Sequence, residues 1–123
     1  MLMRMPSRKV ISKKMSEYLS VISHPDRFRI IEEIGNRELD VNEITKILGI
    51  PQSSVSQHLS VLRSKDLVVD RREGKHIFYS LRFPWMAGWL LQGLQLLEEA
   101  KSSDLDLLTA TAEVKKLWGR GHQ

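Results

Sequence analysis

The chain has 123 residues and a mildly basic composition, with 19 Lys and Arg against 15 Asp and Glu, giving a net charge of +4. This length fits one domain, and the charge suits a polyanionic partner. Because there is no cysteine, disulfides, thiolate metal sites and thiol redox chemistry are excluded. No apolar run of about 18 residues is present, so we expect a cytoplasmic protein that has no membrane contact.

The first predicted element is a helix from about Ser7 to Ser23. Its apolar residues recur at helical spacing and are expected to face a partner surface. A second helix is predicted to open at Pro25, with Asp26 in its first turn, and to end at Gly35-Asn36. Asp40 and Glu43 have the spacing of a capping box that starts a third helix. We expect flexible termini at residues 1–7 and 119–123.

Residues 41–62, VNEITKILGIPQSSVSQHLSVL, are predicted to form two helices joined by a turn at Gly49. In the second helix, Val55, Leu59 and Leu62 form an apolar stripe, and the opposite face is polar and uncharged. Such side chains are suited to hydrogen bonding with base edges in a major groove. The pattern indicates a helix-turn-helix, although any αα-hairpin with a glycine in its turn produces the same spacing.

Two strand-like runs follow, at residues 67–72 and 76–82, separated by Glu73-Gly74-Lys75. This spacing predicts a β-hairpin. A helix-turn-helix followed by a hairpin with a basic tip is a winged helix. The fold class that we predict is therefore mainly α with a small β-hairpin (α+β), in one domain over residues 1–123.

Three motifs occur in order: HPDRFRII from His24, SSVSQHL from Ser53, and RREGK from Arg71 with YSL from Tyr79. In these motifs the chain resembles the ArsR/SmtB family of winged helix-turn-helix transcriptional repressors, over roughly residues 15–95. The resemblance implies a DNA-binding core at residues 24–82 and dimerisation helices at the amino end and within residues 84–118. The dimerisation helix after the hairpin is expected over residues 85–97, and a break at Ser102–Asp104 is predicted to precede a last amphipathic helix. The expected dimer interface comprises Met15, Leu19, Trp85, Trp89, Leu90, Leu94 and Leu97.

The same resemblance implies that the partner is double-stranded operator DNA, bound by a homodimer. Base readout is expected from the exposed face of the second helix-turn-helix helix: Gln52, Ser53, Ser54, Ser56 and Gln57. DNA backbone contacts are expected from residues at the end of that helix and in the hairpin: Ser60, Arg63, Arg71, Arg72, Lys75 and His76.

Metal-sensing members of the family use cysteine pairs on the first helix of the helix-turn-helix, or His, Asp and Glu across the dimerisation helices. This chain has Glu38-Leu39-Asp40-Val41-Asn42 at the first place and no such residue in 85–97. We therefore predict no metal site and no cofactor. His24 is interpreted as a helix-start residue and His58 as a packed imidazole.

No nucleophile with a positioned base and no phosphate-binding glycine loop can be assembled, so a non-enzyme is predicted. A winged helix can also serve as a protein-interaction module. In that alternative, the Trp- and Leu-rich carboxy-terminal surface binds a partner protein or an apolar ligand. Salt-dependent binding to a DNA duplex would separate the two hypotheses.

Overall fold

The computed structural model describes residues 4–100 and 105–121, which form seven helices and a three-stranded sheet. In chain order the elements are α1 Arg4–Ile22, α2 Pro25–Ile34, β1 Leu39–Asp40, α3 Val41–Leu48, α4 Gln52–Ser64, β2 Val68–Glu73, β3 His76–Leu81, α5 Trp85–Leu91, α6 Leu94–Glu99 and α7 Leu105–Gly121. The predicted mainly helical fold with a β-hairpin is confirmed. No helix in the described part of the chain combines the length and apolar character needed to cross a membrane.

The helix starts follow local signals in the sequence. His24 caps α2, because its side chain accepts a hydrogen bond from the backbone N–H of Asp26 at 3.1 Å. Asp40 caps α3 in a complete capping box: its side chain accepts from the N–H of Glu43, whose carboxylate accepts from the N–H of Asp40. Gly35 and Gly49 follow the last residues of α2 and α3. These predicted boundaries are confirmed.

The core lies where α2, α3 and α4 pack together against the sheet and α5. Side chains with no exposed surface include Ile30, Ile31 and Ile34 of α2 and Ile44 of α3. Val55, Leu59 and Leu62 of α4 are also fully buried, which confirms the predicted stripe. Helix α4 is therefore anchored by its apolar face, and this leaves the opposite face to solvent.

The sheet has the strand order β1-β3-β2 and is antiparallel throughout. Glu73 pairs with His76, so the hairpin loop has two residues, Gly74 and Lys75, where the sequence predicted three. Gly74 has φ +60°, a conformation that the first central position of a type II′ turn requires and that glycine adopts at little cost. The third strand, β1, was not predicted; its Leu39 pairs with Tyr79 of β3.

The carboxy-terminal region departs from the predicted single helix over residues 85–97. It forms two short helices, α5 and α6, separated by Gln92 and Gly93. At the break, the backbone hydrogen bonds change from pairs four residues apart to pairs three residues apart. The N–H of Gly93 donates to the Leu90 carbonyl at 2.9 Å. A Cβ on Gly93 would lie 3.0 Å from that carbonyl oxygen, so a larger residue at this position would crowd the tight turn.

Two helix ends also differ from the predictions. α1 begins at Arg4, three residues before the predicted start, and α7 continues to Gly121, into the end that was expected to be flexible. Gly119 lowers helix propensity but does not forbid helical backbone angles. The predicted break at Ser102–Asp104 lies outside the described residues.

Candidate nucleic-acid interface

The outward face of α4 carries the residues predicted to read bases. Four of them, Gln52, Ser53, Ser56 and Gln57, are exposed, and Ser54 is half-buried. None of these side chains makes a hydrogen bond with another residue in the described ranges. Their donors and acceptors are therefore available to a partner, and Ser54, nearer the core, is the least accessible of the five.

The amino end of α4 has no side-chain cap, because Pro51 occupies the N-cap position. The Pro51 carbonyl accepts from the N–H groups of Ser54 and Val55, at 3.0 and 3.2 Å. The N–H groups of Gln52 and Ser53 precede these bonds and point out of the first turn. Such an end attracts anions, since its unpaired N–H groups coincide with the positive end of the helix dipole.

Arg71, on the first strand of the hairpin or wing, is held by three neighbours. Its guanidinium donates to both carboxylate oxygens of Glu38, at 3.0 and 2.8 Å, and to Glu73 at 2.7 Å. The same group lies 4.9 Å from the centre of the Phe78 ring. The hydrogen bonds from Arg71 lower the pKa of the Glu38 carboxyl, and those carboxylates raise the pKa of Arg71. The charge of Arg71 is therefore already matched, and its side chain ties the wing to the segment before β1.

The other predicted backbone contacts fall into two groups. Arg63 is 3.4 Å from Asp70, and His76 Nδ1 is 3.3 Å from Asp40, so both face a carboxylate. Arg72 and Lys75 are exposed and form no ion pair with the described residues, and Ser60 is exposed as well. Arg72 lies on the same face of β2 as Asp70. Asp70 forms an ion pair with Arg63 of α4. The unmatched charge of Arg72 thus lies on the face of β2 that contacts α4 through the Asp70–Arg63 pair.

Behind α4, His58 packs against the start of α2. Its ring is 4.4 Å from that of His24, its Nδ1 lies 3.4 Å from a guanidinium nitrogen of Arg27, and its Nε2 lies 3.7 Å from Asp26. Burial lowers the pKa of His58, and the neighbouring His24 and Arg27 lower it further. The predicted packed imidazole is confirmed. Arg27 also donates to the Val21 carbonyl at the end of α1, a connection that local sequence spacing does not reveal.

A second surface of the molecule is apolar. Met15 and Tyr18 of α1 face Trp85 and Trp89 of α5 across a groove of about 430 Å³. Trp85 is 64% exposed, and Met15, Leu19, Trp89 and Leu97 are also exposed. Of the seven predicted interface residues, only Leu90 and Leu94 are half-buried, and Leu90 packs on the core. This much exposed apolar area is typical of an interaction surface.

The sequence and the fold were both found to be similar to known proteins. Residues 24–69 match the family described as "Bacterial regulatory protein, arsR family". The chain is 39% identical over 74 residues to the transcriptional repressor PagR of Bacillus anthracis, an alignment that covers 59% of this chain and 74% of PagR. It is 34% identical over 70 residues to the transcriptional repressor SmtB homolog of a Synechocystis strain, covering 57% of this chain and 53% of that protein.

Solved structures agree with the sequence comparisons. Reduced HlyU from Vibrio cholerae superposes with a TM-score of 0.66 at 29% identity, covering 73% of this chain and 95% of HlyU. The PagR crystal structure superposes with a TM-score of 0.57 at 35% identity, covering 67% and 94% of the two chains. The relatives are regulators and not enzymes. With the identity to PagR, the matched family description and the shared winged helix-turn-helix, the chain belongs to the arsR family of bacterial DNA-binding transcriptional regulators.

Proposed function

We propose that this protein is a homodimeric, sequence-specific transcriptional repressor that binds operator DNA through α4 and the wing. The observation that carries the proposal is the division of α4 into two faces. Val55, Leu59 and Leu62 are fully buried on one face, while the other is exposed, polar and uncharged. A helix fixed in this way can enter a major groove without losing its own contacts.

In this proposal the two glutamines of α4 provide the strongest base readout. A Gln carboxamide can donate to and accept from an adenine edge at once, which a serine hydroxyl does less selectively. Gln57 lies one turn beyond Ser53, on the exposed face. Ser53, Ser56 and Gln52 then supplement the readout, and Ser54 contributes where the groove wall comes close.

Contacts with the phosphates of the DNA backbone are assigned to groups of the interface that form no ion pair. These groups are Arg72, Lys75, Ser60 and the open amino end of α4. Arg71 serves instead to orient the wing, because Glu38 and Glu73 already occupy its donors. Arg63 and His76 reach phosphate only by releasing Asp70 and Asp40, so we expect smaller contributions from them.

Dimerisation is assigned to the apolar surface formed by α1, α5 and α6, with residues 24–82 as the DNA-binding core and 84–118 as the dimerisation and carboxy-terminal part. A second copy would cover the exposed Trp85, Trp89 and Met15 side chains. Two recognition helices about 34 Å apart could then read successive major grooves. The chain lacks cysteine, so it does not sense metal through the family's cysteine-based site.

The same groove favours one further candidate, in which an apolar ligand or a partner protein binds between α1 and α5. Its walls include Met15, Tyr18, Phe83 and Trp89, and its volume of about 430 Å³ falls within the range of small-molecule sites. In a regulator of this kind, the ligand or partner protein would either replace the second subunit in the groove or bind there together with it.

The test is a comparison of specific and random DNA. Genomic fragments retained by the purified protein are sequenced, and the recovered site is used in fluorescence anisotropy. Gln57→Ala should lose about 1–3 kcal/mol on that site and much less on random duplex. Asn36→Ala, a carboxamide change at an exposed residue after α2 and outside α4, the wing and the dimerisation helices, should leave both affinities unchanged. Equal losses of Gln57→Ala on both duplexes would refute the readout assignment.

A further inference from the structure

Three metal-binding side chains converge where the start of α2 crosses α4. His24, Asp26 and His58 each offer one ligand atom, and these atoms all lie within 4.8 Å of one another. The two histidine rings have centres 4.4 Å apart, and His58 Nε2 is 3.7 Å from Asp26 Oδ2. His58 has only 13% of its side chain exposed, while Asp26 reaches solvent at the edge, so an ion could enter from that side.

The spacing fits a small divalent cation. Zinc binds histidine nitrogen and carboxylate oxygen at about 2.0–2.2 Å, which places tetrahedral ligand atoms roughly 3.4 Å apart. The distance between His58 and Asp26 exceeds this value only slightly, and the ligand atom of His24 lies within 4.8 Å of each of the other two. Two imidazoles and one carboxylate are also a donor set that suits zinc and disfavours calcium or magnesium.

We propose that His24, Asp26 and His58 form a zinc-binding site, in which a water molecule supplies the fourth ligand. This site is separate from the positions used by metal-sensing relatives, which lie on the first helix of the helix-turn-helix or across the dimerisation helices. It links the amino end of α2 to the buried side of the recognition helix.

Zinc binding at this site has a defined structural cost. His58 Nδ1 now faces Arg27, whose guanidinium can only donate, so Nε2 carries the ring proton of the neutral imidazole. When an ion binds at Nε2, the ring proton moves to Nδ1, so that two N–H donors face each other. The guanidinium nitrogen of Arg27 must then move away from His58, while Arg27 keeps its hydrogen bond to the Val21 carbonyl.

His24 faces a similar exchange. Its Nδ1 now accepts from the N–H of Asp26, and ligation through Nε2 would replace that helix cap with a metal bond. Binding therefore exchanges two present contacts for three metal bonds, and the occupied site holds α4 against α2 in a different way from the empty one.

The experiment uses the full chain without an affinity tag, after metal has been removed with a chelator. Equilibrium dialysis against micromolar zinc should give one ion per chain, and cobalt substituted for zinc should show the strong visible absorption of four-coordinate Co²⁺. Asp26→Asn and His58→Gln should each abolish the bound ion and the cobalt absorption. Circular dichroism checks that both variants are folded, and the partly exposed Asp26 makes its conservative change the safer of the two.

His76→Gln is the matched control. His76 also faces a carboxylate, that of Asp40 at 3.3 Å, but no third donor joins this pair among the described residues. This variant should therefore bind zinc like the wild type. The proposal is overturned if the wild type binds no zinc, if binding survives in folded Asp26→Asn, or if His76→Gln loses the ion.

Discussion

The two adjacent arginines of the wing should have different effects on DNA binding. Arg72 has no ion pair with the described residues, whereas the Arg71 guanidinium lies 2.7–3.0 Å from carboxylate oxygens of Glu38 and Glu73. Successive side chains of a strand point to opposite faces, so one arginine can bind phosphate while its neighbour binds the protein. We predict that Arg72→Gln weakens binding to all DNA sequences and that loss of the Arg71 pair does not change phosphate neutralisation.

The size of the effect follows from counterion release. Each phosphate neutralised contributes about 0.9 to the slope of log affinity against log salt. Removing one contact therefore changes the affinity ratio between 50 and 200 mM salt by about 3.5-fold. Arg72→Gln should show that smaller salt dependence on specific and random duplexes alike.

The comparison variant is the double change Glu38→Gln with Arg71→Gln, which removes the pair and leaves the net charge of the chain unchanged. Its salt slope should equal that of the wild type within error, although its affinity can fall because the wing is less well oriented. Fluorescence anisotropy over a salt series measures both quantities. A slope in Arg72→Gln equal to that of the wild type, or a slope reduced by about one unit in the double variant, would refute this division of roles.

Two further predictions concern association and stability. Trp89→Glu should give a folded monomer in sedimentation, with weakened operator binding, because it places a charge in the groove between α1 and α5. Val69→Glu, at a side chain 40% exposed on β2 and outside α1, α5 and α6, should remain dimeric. An unchanged dimer in Trp89→Glu would contradict the proposed interface. Asp40→Ala should lower the free energy of unfolding by about 0.5–2 kcal/mol, because the N–H of Glu43 loses its acceptor. Urea titration measures this difference. A change smaller than the error of the titration would show that water replaces the cap without loss of stability.

The features that could be predicted from sequence depend on neighbours a few residues apart. The capping box from Asp40 to Glu43, the glycine in the hairpin loop and the i, i+4, i+7 stripe of Val55, Leu59 and Leu62 are all fixed by local geometry. For this reason their elements were placed within one or two residues.

The features that were missed depend on tertiary contacts. Glu38 and Arg71 are separated by 33 positions, and no local spacing indicates that the two side chains will form an ion pair. Strand β1 has two residues, too few for an alternating pattern, and it exists because β3 offers it partners. Similarly, the sequence identified His24 and His58 as structural residues but did not indicate that their rings meet beside Asp26.

The pairing of β1 with β3 has a consequence for the order in which the protein folds. Leu39 pairs with Tyr79, so the sheet closes a loop of about 40 residues that contains α3, α4 and β2, and closing such a loop carries an entropic cost that a short hairpin avoids. We expect the β2–β3 hairpin and the helices to form first from local contacts and β1 to join later, because its pairing is long-range. The strand thus joins the two ends of the segment that contains α3 and α4.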